Sequence, residues 1–491
     1  MKSLIMLNKS LFSTLLGMSA AATLPRQVHA ANTPGLLHFP ITVSQGAPIV
    51  KNMTKRQSDV ATSAQQIGYF YTIDLVLGTP GQVVTVNFDT GSAELWVNPL
   101  CRSASDPGFC ESFGRFNDSS TFEELGMRGH VRYGTGYVSF EYGTDYISLG
   151  SSRISQQTFG VAYDSQFSSV GIMGAGPDLS GWDSPYPLII DSLVQQGFIN
   201  SRAFSLDLRA LSSDRGSVIL GGIDTRKYSG HLEKRPIIPA ESSPDGYTRY
   251  WIYLDGISIN QGDGTDVSIF HAPGQQPVLL DSGYTLSALP EHLFEAMVAA
   301  VPSAKPIAGS HLYAVDCSIA ELPGTVDFWF GETAIRVPYG DFIWRQPDPD
   351  FCVLGVYRDD EFPVLGDTFL RAAYVVYDWD NRNILLANNE DCGTNLVPIG
   401  SGPDAVPSLV GECSVSTPTT SPPVDAARVQ PSTQTPPAAG SAVSSQETFE
   451  TRRSVPMGYP ELSASATALS TSPCSHPSTL SEYYSLSVME S

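Results

Sequence analysis

One signature occurs twice, in register, in this chain of 491 residues. The first half carries Val86-Asn87-Phe88-Asp89-Thr90-Gly91, and the second carries Val278-Leu279-Leu280-Asp281-Ser282-Gly283. An apolar pair and a glycine follow each copy, as Ile172-Met173-Gly174 and Val364-Leu365-Gly366, and each glycine falls 85 residues after its aspartate. Such self-similarity implies two related structural units, each ending an apolar strand in Asp-Thr/Ser-Gly. The expected molecule is bilobed, with the two aspartates at equivalent points.

Between about residues 57 and 400, Val, Ile, Tyr and Phe alternate with polar residues, and Gly-containing turns recur at short intervals. This pattern reads as a mainly all-β protein, with strands expected at 69–77, 83–88, 203–208, 217–220 and 374–377. Helices are expected at 189–196 and, after the Pro290 break, at 291–301. A first lobe with Asp89 is assigned to 57–245 and a second with Asp281 to 246–400.

The ends differ from this middle. Lys2 and Lys9 flank a short apolar stretch from Leu11 to Leu24, so residues 1–30 read as a secretory signal, cut after the Ala20–Ala22 run or after Ala30. The stretch falls short of the roughly 20 apolar residues a membrane span needs. Residues 31–56 read as a short propeptide ending in the dibasic pair Lys55-Arg56, which makes the chain a zymogen. Residues 401–491 are rich in Ser, Thr, Pro and Ala, and read as a disordered tail resembling O-glycosylated stalks. The chain ends in Ser-Leu-Ser-Val-Met-Glu-Ser, without the apolar terminus of a lipid-anchor signal. Secretion, with association to a cell wall as a further option, is the expected location.

A net charge of −22 repels polyanions, which argues against nucleic acid as a partner. Carboxylates neutralise in acid and relieve this repulsion, so the composition suits a low-pH compartment. Seven cysteines in an exported chain point to disulfides. Cys101 and Cys110 share a polar loop and Cys317 and Cys352 bracket a hairpin-like stretch, so two local bridges are expected, with Cys392, Cys413 and Cys474 unassigned. No C-x-x-C pair or H-E-x-x-H helix supports a metal site, and no cofactor is expected. Asn117-Asp118-Ser119 is an N-glycosylation sequon in a polar loop, and Asn52-Met53-Thr54 is a second in the segment read as removed.

One Asp-Thr-Gly alone is an ordinary turn. Two in register, each behind an apolar strand, bring two carboxylates together, and such a pair in a partly dry cleft shares one proton. The charged member can take a proton from water while the neutral member donates one to a scissile carbonyl.

Together with Phe88-Asp89-Thr90-Gly91-Ser92-Ala93-Glu94-Leu95-Trp96-Val97, Tyr133-Gly134-Thr135-Gly136, Gly171-Ile172-Met173-Gly174 and Val364-Leu365-Gly366-Asp367-Thr368-Phe369, these motifs resemble the pepsin family of aspartic proteases, specifically its fungal secreted members, over about 65–390. The resemblance implies a pepsin-like fold of two β lobes around a central cleft, protein or peptide substrates and a monomer. It implies that Asp89 and Asp281 are catalytic, and that Tyr133, Gly134 and Thr135 form a flap over the substrate, braced by Trp96. It further implies that Thr90 and Ser282 interlock the two loops, beside Gly91 and Gly283, and that Ser92 hydrogen-bonds Asp89. Two departures stand out: Tyr284 occupies a position where the family places Thr or Ser, which removes a support of Asp281, and Thr135 stands where relatives that accept lysine carry Asp. Hydrophobic residues flanking the cut are therefore expected. The main rival is a pepsin-like binding protein that kept the cleft and lost catalysis. A serine hydrolase would need a Gly-x-Ser-x-Gly elbow, a retaining glycosidase has no need of the duplicated loop, and a cell-wall structural protein rests on the tail alone.

Overall fold

Backbone pairing realises the repeat directly. In the computed structural model, which describes residues 33–46, 68–104, 106–133, 136–166, 169–179, 186–213 and 216–413, Gln82–Asp89 runs parallel to Gly171–Gly174, with Asp89 opposite Gly174. In the second half Asp266–Leu280 runs parallel to Val364–Leu365, with Leu280 opposite Leu365. The fixed spacing of 85 residues thus records one structural act performed twice: the strand that ends in aspartate is paired by the later apolar pair.

Around the first of these contacts the strands run in the order Tyr69–Leu77, Gln82–Asp89, Gly171–Gly174, Leu95–Val97, Ser152–Gln166, Gly136–Leu149 and Glu123–Tyr133. Around the second, among the described residues, lies a seven-stranded sheet ordered Thr333–Pro338, Thr325–Phe330, Trp251–Asn260, Asp266–Leu280, Val364–Leu365, Ser287–Leu289 and Val356–Arg358. The halves meet where Ala203–Asp207 pairs antiparallel with Ala373–Asp378. Gly216–Leu220 and Leu37–Gln45 continue that layer on one side, and Asn383–Asn388 and Glu233–Pro236 on the other.

The mainly β, two-lobed architecture read from the sequence is the one found, and the expected strands and helices lie within a residue or two of those observed, such as Tyr69–Leu77 and Ile189–Gln195. Three features of the chain ends go beyond the sequence reading. Leu37–Gln45, inside the segment read as a propeptide, is a strand paired on one side with Gly216–Leu220 and on the other with Tyr69–Leu77. Its apolar residues Leu37, Phe39, Ile41 and Val43 alternate with polar ones or Pro40, the period of a half-buried strand. Structure also continues past the expected boundary at 400, because Val410–Glu412 pairs with Ser229–His231. Finally, Cys392 is bonded to Cys413, in addition to the expected Cys101–Cys110 and Cys317–Cys352 bridges. The signal, Lys55-Arg56, Asn52, Gly134, Thr135, Cys474 and the chain from 414 onward lie outside the described residues.

An aromatic column underlies the meeting point of the halves. Phe88, next to Asp89, meets Phe204 edge-on at 5.6 Å, and Phe204 stacks on Tyr377 at 4.7 Å. Tyr250 packs on Tyr377 at 4.6 Å and sends its hydroxyl to the Ala175 carbonyl at 2.9 Å. Contacts of this type contribute about 0.5–1.5 kcal/mol each beyond burial, and here they tie the Asp89 strand to the shared layer.

The same layer buries acid. Asp207 lies at its centre, and burial outweighs Arg209 to push its carboxyl up to about 7. Burial also raises Glu94, Asp327, Asp341 and Asp378. A carboxyl whose folded pKa is raised keeps a proton that the unfolded chain releases, so its stabilisation is complete below about pH 4 and is lost as pH rises toward the folded value. Glu412 has the opposite sign: bonds from Thr225, Arg226 and Asn395 pull it down to about 2, and its contribution fades only as pH falls below the unfolded value. The denaturant midpoint is therefore expected to fall between about pH 4 and pH 7. A midpoint that is level or rises over that window would contradict the assignment.

Candidate active site

Each aspartate sits where a strand ends and the chain turns against a glycine. The Ala175 amide donates to the Asp89 carbonyl at 2.7 Å, and the Asp281 amide donates to the Leu365 carbonyl at 3.2 Å. A Cβ on Gly174 would fall 2.3 Å from the Ala93 carbonyl carbon, and one on Gly366 would fall 2.4 Å from the Tyr284 carbonyl oxygen. Only glycine lets the loop after each aspartate lie this close to the later strand.

The two loops interlock. Ser282 Oγ accepts from the Thr90 amide at 3.1 Å and donates to the Phe88 carbonyl at 2.8 Å. Thr90 Oγ1 accepts from the Ser282 amide at 3.0 Å and donates to the Leu280 carbonyl at 3.0 Å. Both residues are buried, and each hydroxyl donates and accepts across the loops, which holds them in one relative position. A Cβ on Gly91 would fall 2.0 Å from Asp281 Oδ2, and one on Gly283 would fall 2.7 Å from Asp89 Oδ1, so each glycine makes room for the carboxylate of the other half.

The carboxylates are buried but unequally supplied with donors. Asp89 accepts from the Gly91 amide at 2.8 Å and from Ser92 Oγ at 2.5 Å. Asp281 accepts from the Gly283 amide at 2.7 Å, and among the described residues no hydroxyl reaches it. Thr285, the nearby hydroxyl, is engaged elsewhere: its Oγ1 donates to the Tyr69 carbonyl at 2.8 Å and accepts from the Tyr69 amide at 3.1 Å. Burial, reinforced by the Asp89 carboxylate beside it, pushes the Asp281 acid well above the usual carboxylate range. Donors stabilise a charged carboxylate, so the member with fewer of them, Asp281, is the one placed to hold the shared proton.

Tyr133 ends the strand Glu123–Tyr133, and its hydroxyl accepts from Trp96 Nε1 at 2.8 Å. Gly136–Leu149 returns from it as the second arm of a hairpin, with Tyr133 paired to Gly136. Asn117 is exposed, and the Ser119 hydroxyl of its sequon accepts from the Thr79 amide at 2.8 Å.

Two neighbours of the site escaped sequence reasoning. Glu94 accepts from Tyr186 Oη at 2.6 Å and from Tyr142 Oη at 3.1 Å behind the Asp89 loop. Arg249, from the other half, donates to the Gly91 carbonyl. Neither contact shows a local signal, because Tyr142 and Tyr186 lie 48 and 92 residues from Glu94 and Gly91 lies 158 residues from Arg249.

Tyr284 affords a direct test of the asymmetry. A Thr in its place is expected to supply the missing hydroxyl to Asp281, stabilise the charged form and lower the first ionisation of the pair. The acid limb of the kcat/KM profile should move down by up to about one unit in Tyr284→Thr. A limb that stays put or rises would remove the proposed role.

Residues 69–389 match the eukaryotic aspartyl protease family, and the chain belongs to it. It is 33% identical over 427 residues to the probable aspartic-type endopeptidase opsB of Aspergillus fumigatus, covering 80% of this chain and 84% of that one. Aspartic proteinase yapsin-3 of Saccharomyces cerevisiae is 33% identical, over 70% of each chain. Secreted aspartic protease 5 of Candida albicans is 31% identical, over 68% of this chain and 79% of that one. The crystal structure of an aspartic proteinase from Irpex lacteus shares the fold, with a TM-score of 0.54 at 22% identity, over 72% of this chain and 98% of that one.

Proposed function

We propose that this chain is a secreted endopeptidase that hydrolyses internal peptide bonds in acid, with Asp89 and Asp281 as its catalytic pair. The observation that carries the reading is the unequal pair itself: two buried carboxylates on interlocked loops, one with a hydroxyl donor and one without. Aspartic proteases are the reference case for such proton sharing. Asp89 takes a proton from a water held between the two groups, and the oxygen of that water attacks the scissile carbonyl carbon. Asp281 donates its proton to the carbonyl oxygen, giving a neutral tetrahedral diol. Collapse of the diol breaks the C–N bond, with a proton delivered to the leaving nitrogen, and restores the carboxyls. Tyr133 would close over the substrate with Gly134 and Thr135, held by the bond to Trp96.

Export is supported by the apolar leader and by relatives named as secreted aspartic proteases. Among the described residues no helix is long and apolar enough to cross a membrane. A precursor cut after Arg56, glycosylation at Asn117, a monomeric state and a preference for hydrophobic residues at the cut complete the reading. Digestion of denatured haemoglobin at about pH 3–5, with and without a statine-type inhibitor, tests it. Inhibitor-sensitive cleavage is expected, and its absence in the processed protein would overturn the reading.

A further inference from the structure

Arg249 is a cation tied to both halves of the molecule. Its Nε donates to Asp245 Oδ2 at 2.6 Å, and its Nη1 crosses to the Gly91 carbonyl at 2.9 Å. Asp245 is itself fixed, accepting on Oδ1 from the Trp251 indole at 3.1 Å, the Tyr247 amide at 3.1 Å and the Ser243 hydroxyl at 3.3 Å. The guanidinium also lies 5.7 Å from the Phe362 ring and 6.0 Å from the Tyr247 ring, and the side chain is only 11% exposed. Gly91 donates its amide to Asp89 and leaves no room for a methyl group against Asp281. One short peptide therefore connects the guanidinium to both carboxylates.

We propose that Arg249 is a positioning residue of the catalytic pair: clamped by Asp245, it anchors the Gly91 peptide and places a fixed positive charge beside Asp89 and Asp281, which extends activity to lower pH. This rests on the reading of those two aspartates as the reacting pair. A nearby cation favours the singly ionised pair over the doubly protonated one, so it lowers the pH at which the working form appears. Arg249 is the cation that draws Asp281 downward, against burial and Asp89. Around Asp281 also stand Tyr284, Tyr357 and Tyr377, neutral in acid, with Asp367 behind them and the buried Arg371 cation set against Asp367. Tyr133 faces Asp89, and Asp359 stands beyond Tyr284 and Tyr357. Asp245 is the counter-charge of Arg249 itself.

The test is the pH profile of kcat/KM on a peptide substrate for wild type, Arg249→Gln, Arg249→Met and Arg249→Lys. Gln keeps a hydrogen-bond donor without charge, Met keeps the volume, and Lys keeps the charge. The acid limb is expected to move up by about half a unit to one unit in both neutral variants and to stay near wild type in Arg249→Lys. A limb unmoved in Arg249→Gln, or moved as far by Lys as by Gln, overturns the proposal. A purely structural role would lower the amplitude or the Tm without moving the limb. If the reading of the pair itself is wrong, wild type shows no statine-sensitive activity, which separates the two failures. Should Arg249→Met not fold, the Gln and Lys variants still decide.

Discussion

Asp89→Asn and Asp281→Asn are each expected to lower kcat/KM by on the order of 10^4-fold, with the double variant scarcely worse than either single one. An amide cannot hold the shared proton, so either change leaves one carboxyl without its counterpart. Both side chains are buried and accept from a backbone amide, and an Asn oxygen can keep that bond. Export and Tm should therefore change little, and replacing one of two crowded acids can raise Tm near neutral pH, where both would otherwise be forced to ionise. The check is turnover of a quenched peptide beside a thermal melt on the same sample. Activity above about 1% of wild type in either folded variant would remove the pair from the centre of the mechanism.

The second large effect concerns the C-terminal boundary. A chain ending at residue 400 is expected to be less stable by on the order of 3 kcal/mol, whereas one ending at residue 415 should match the full chain. The shorter form loses the Cys392–Cys413 bridge, whose ends are 21 residues apart, and the Val410–Glu412 strand. It also loses Glu412, which accepts from Thr225 Oγ1 at 2.6 Å and from Arg226 Nε at 2.8 Å. The Tyr228 hydroxyl, which donates to the Leu409 carbonyl at 3.2 Å, is left without that acceptor. Denaturant midpoints of the two truncations settle the matter, and equal midpoints would show that residues 401–413 add nothing.

Most of the site was legible because it repeats. Asp-Thr/Ser-Gly at a fixed distance from a later glycine carries a backbone constraint, and both glycines face main chain that no side chain could displace. The strands were legible from period-two alternation under buried aromatics such as Phe88 and Tyr377. What escaped were pairings with no local trace. Arg249 meets Gly91 across 158 residues. Cys413 could equally have joined Cys474 on sequence grounds, so the third bridge had no unique partner. The alternation in Leu37–Gln45 was visible, but it lay ahead of a dibasic pair, and a cleavage signal says nothing about whether the preceding residues pair.

That strand has a consequence for what processing can accomplish. Leu37–Ile41 is paired with Gly216–Leu220 and Thr42–Gln45 with the start of Tyr69–Leu77, so successive halves of the segment satisfy the backbone donors and acceptors of two different strands. A nick after Arg56 would alter covalent connectivity while leaving every one of those bonds in place. The result would be two polypeptides with two N-termini travelling as one particle and parting only in denaturant. Withdrawal of the small piece would bare an edge on each of those two strands, the surface on which β proteins join one another and aggregate. Maturation at this position would therefore resemble the scission of a hinge pin's sleeve with the pin left in, and the pin would remain part of the working molecule.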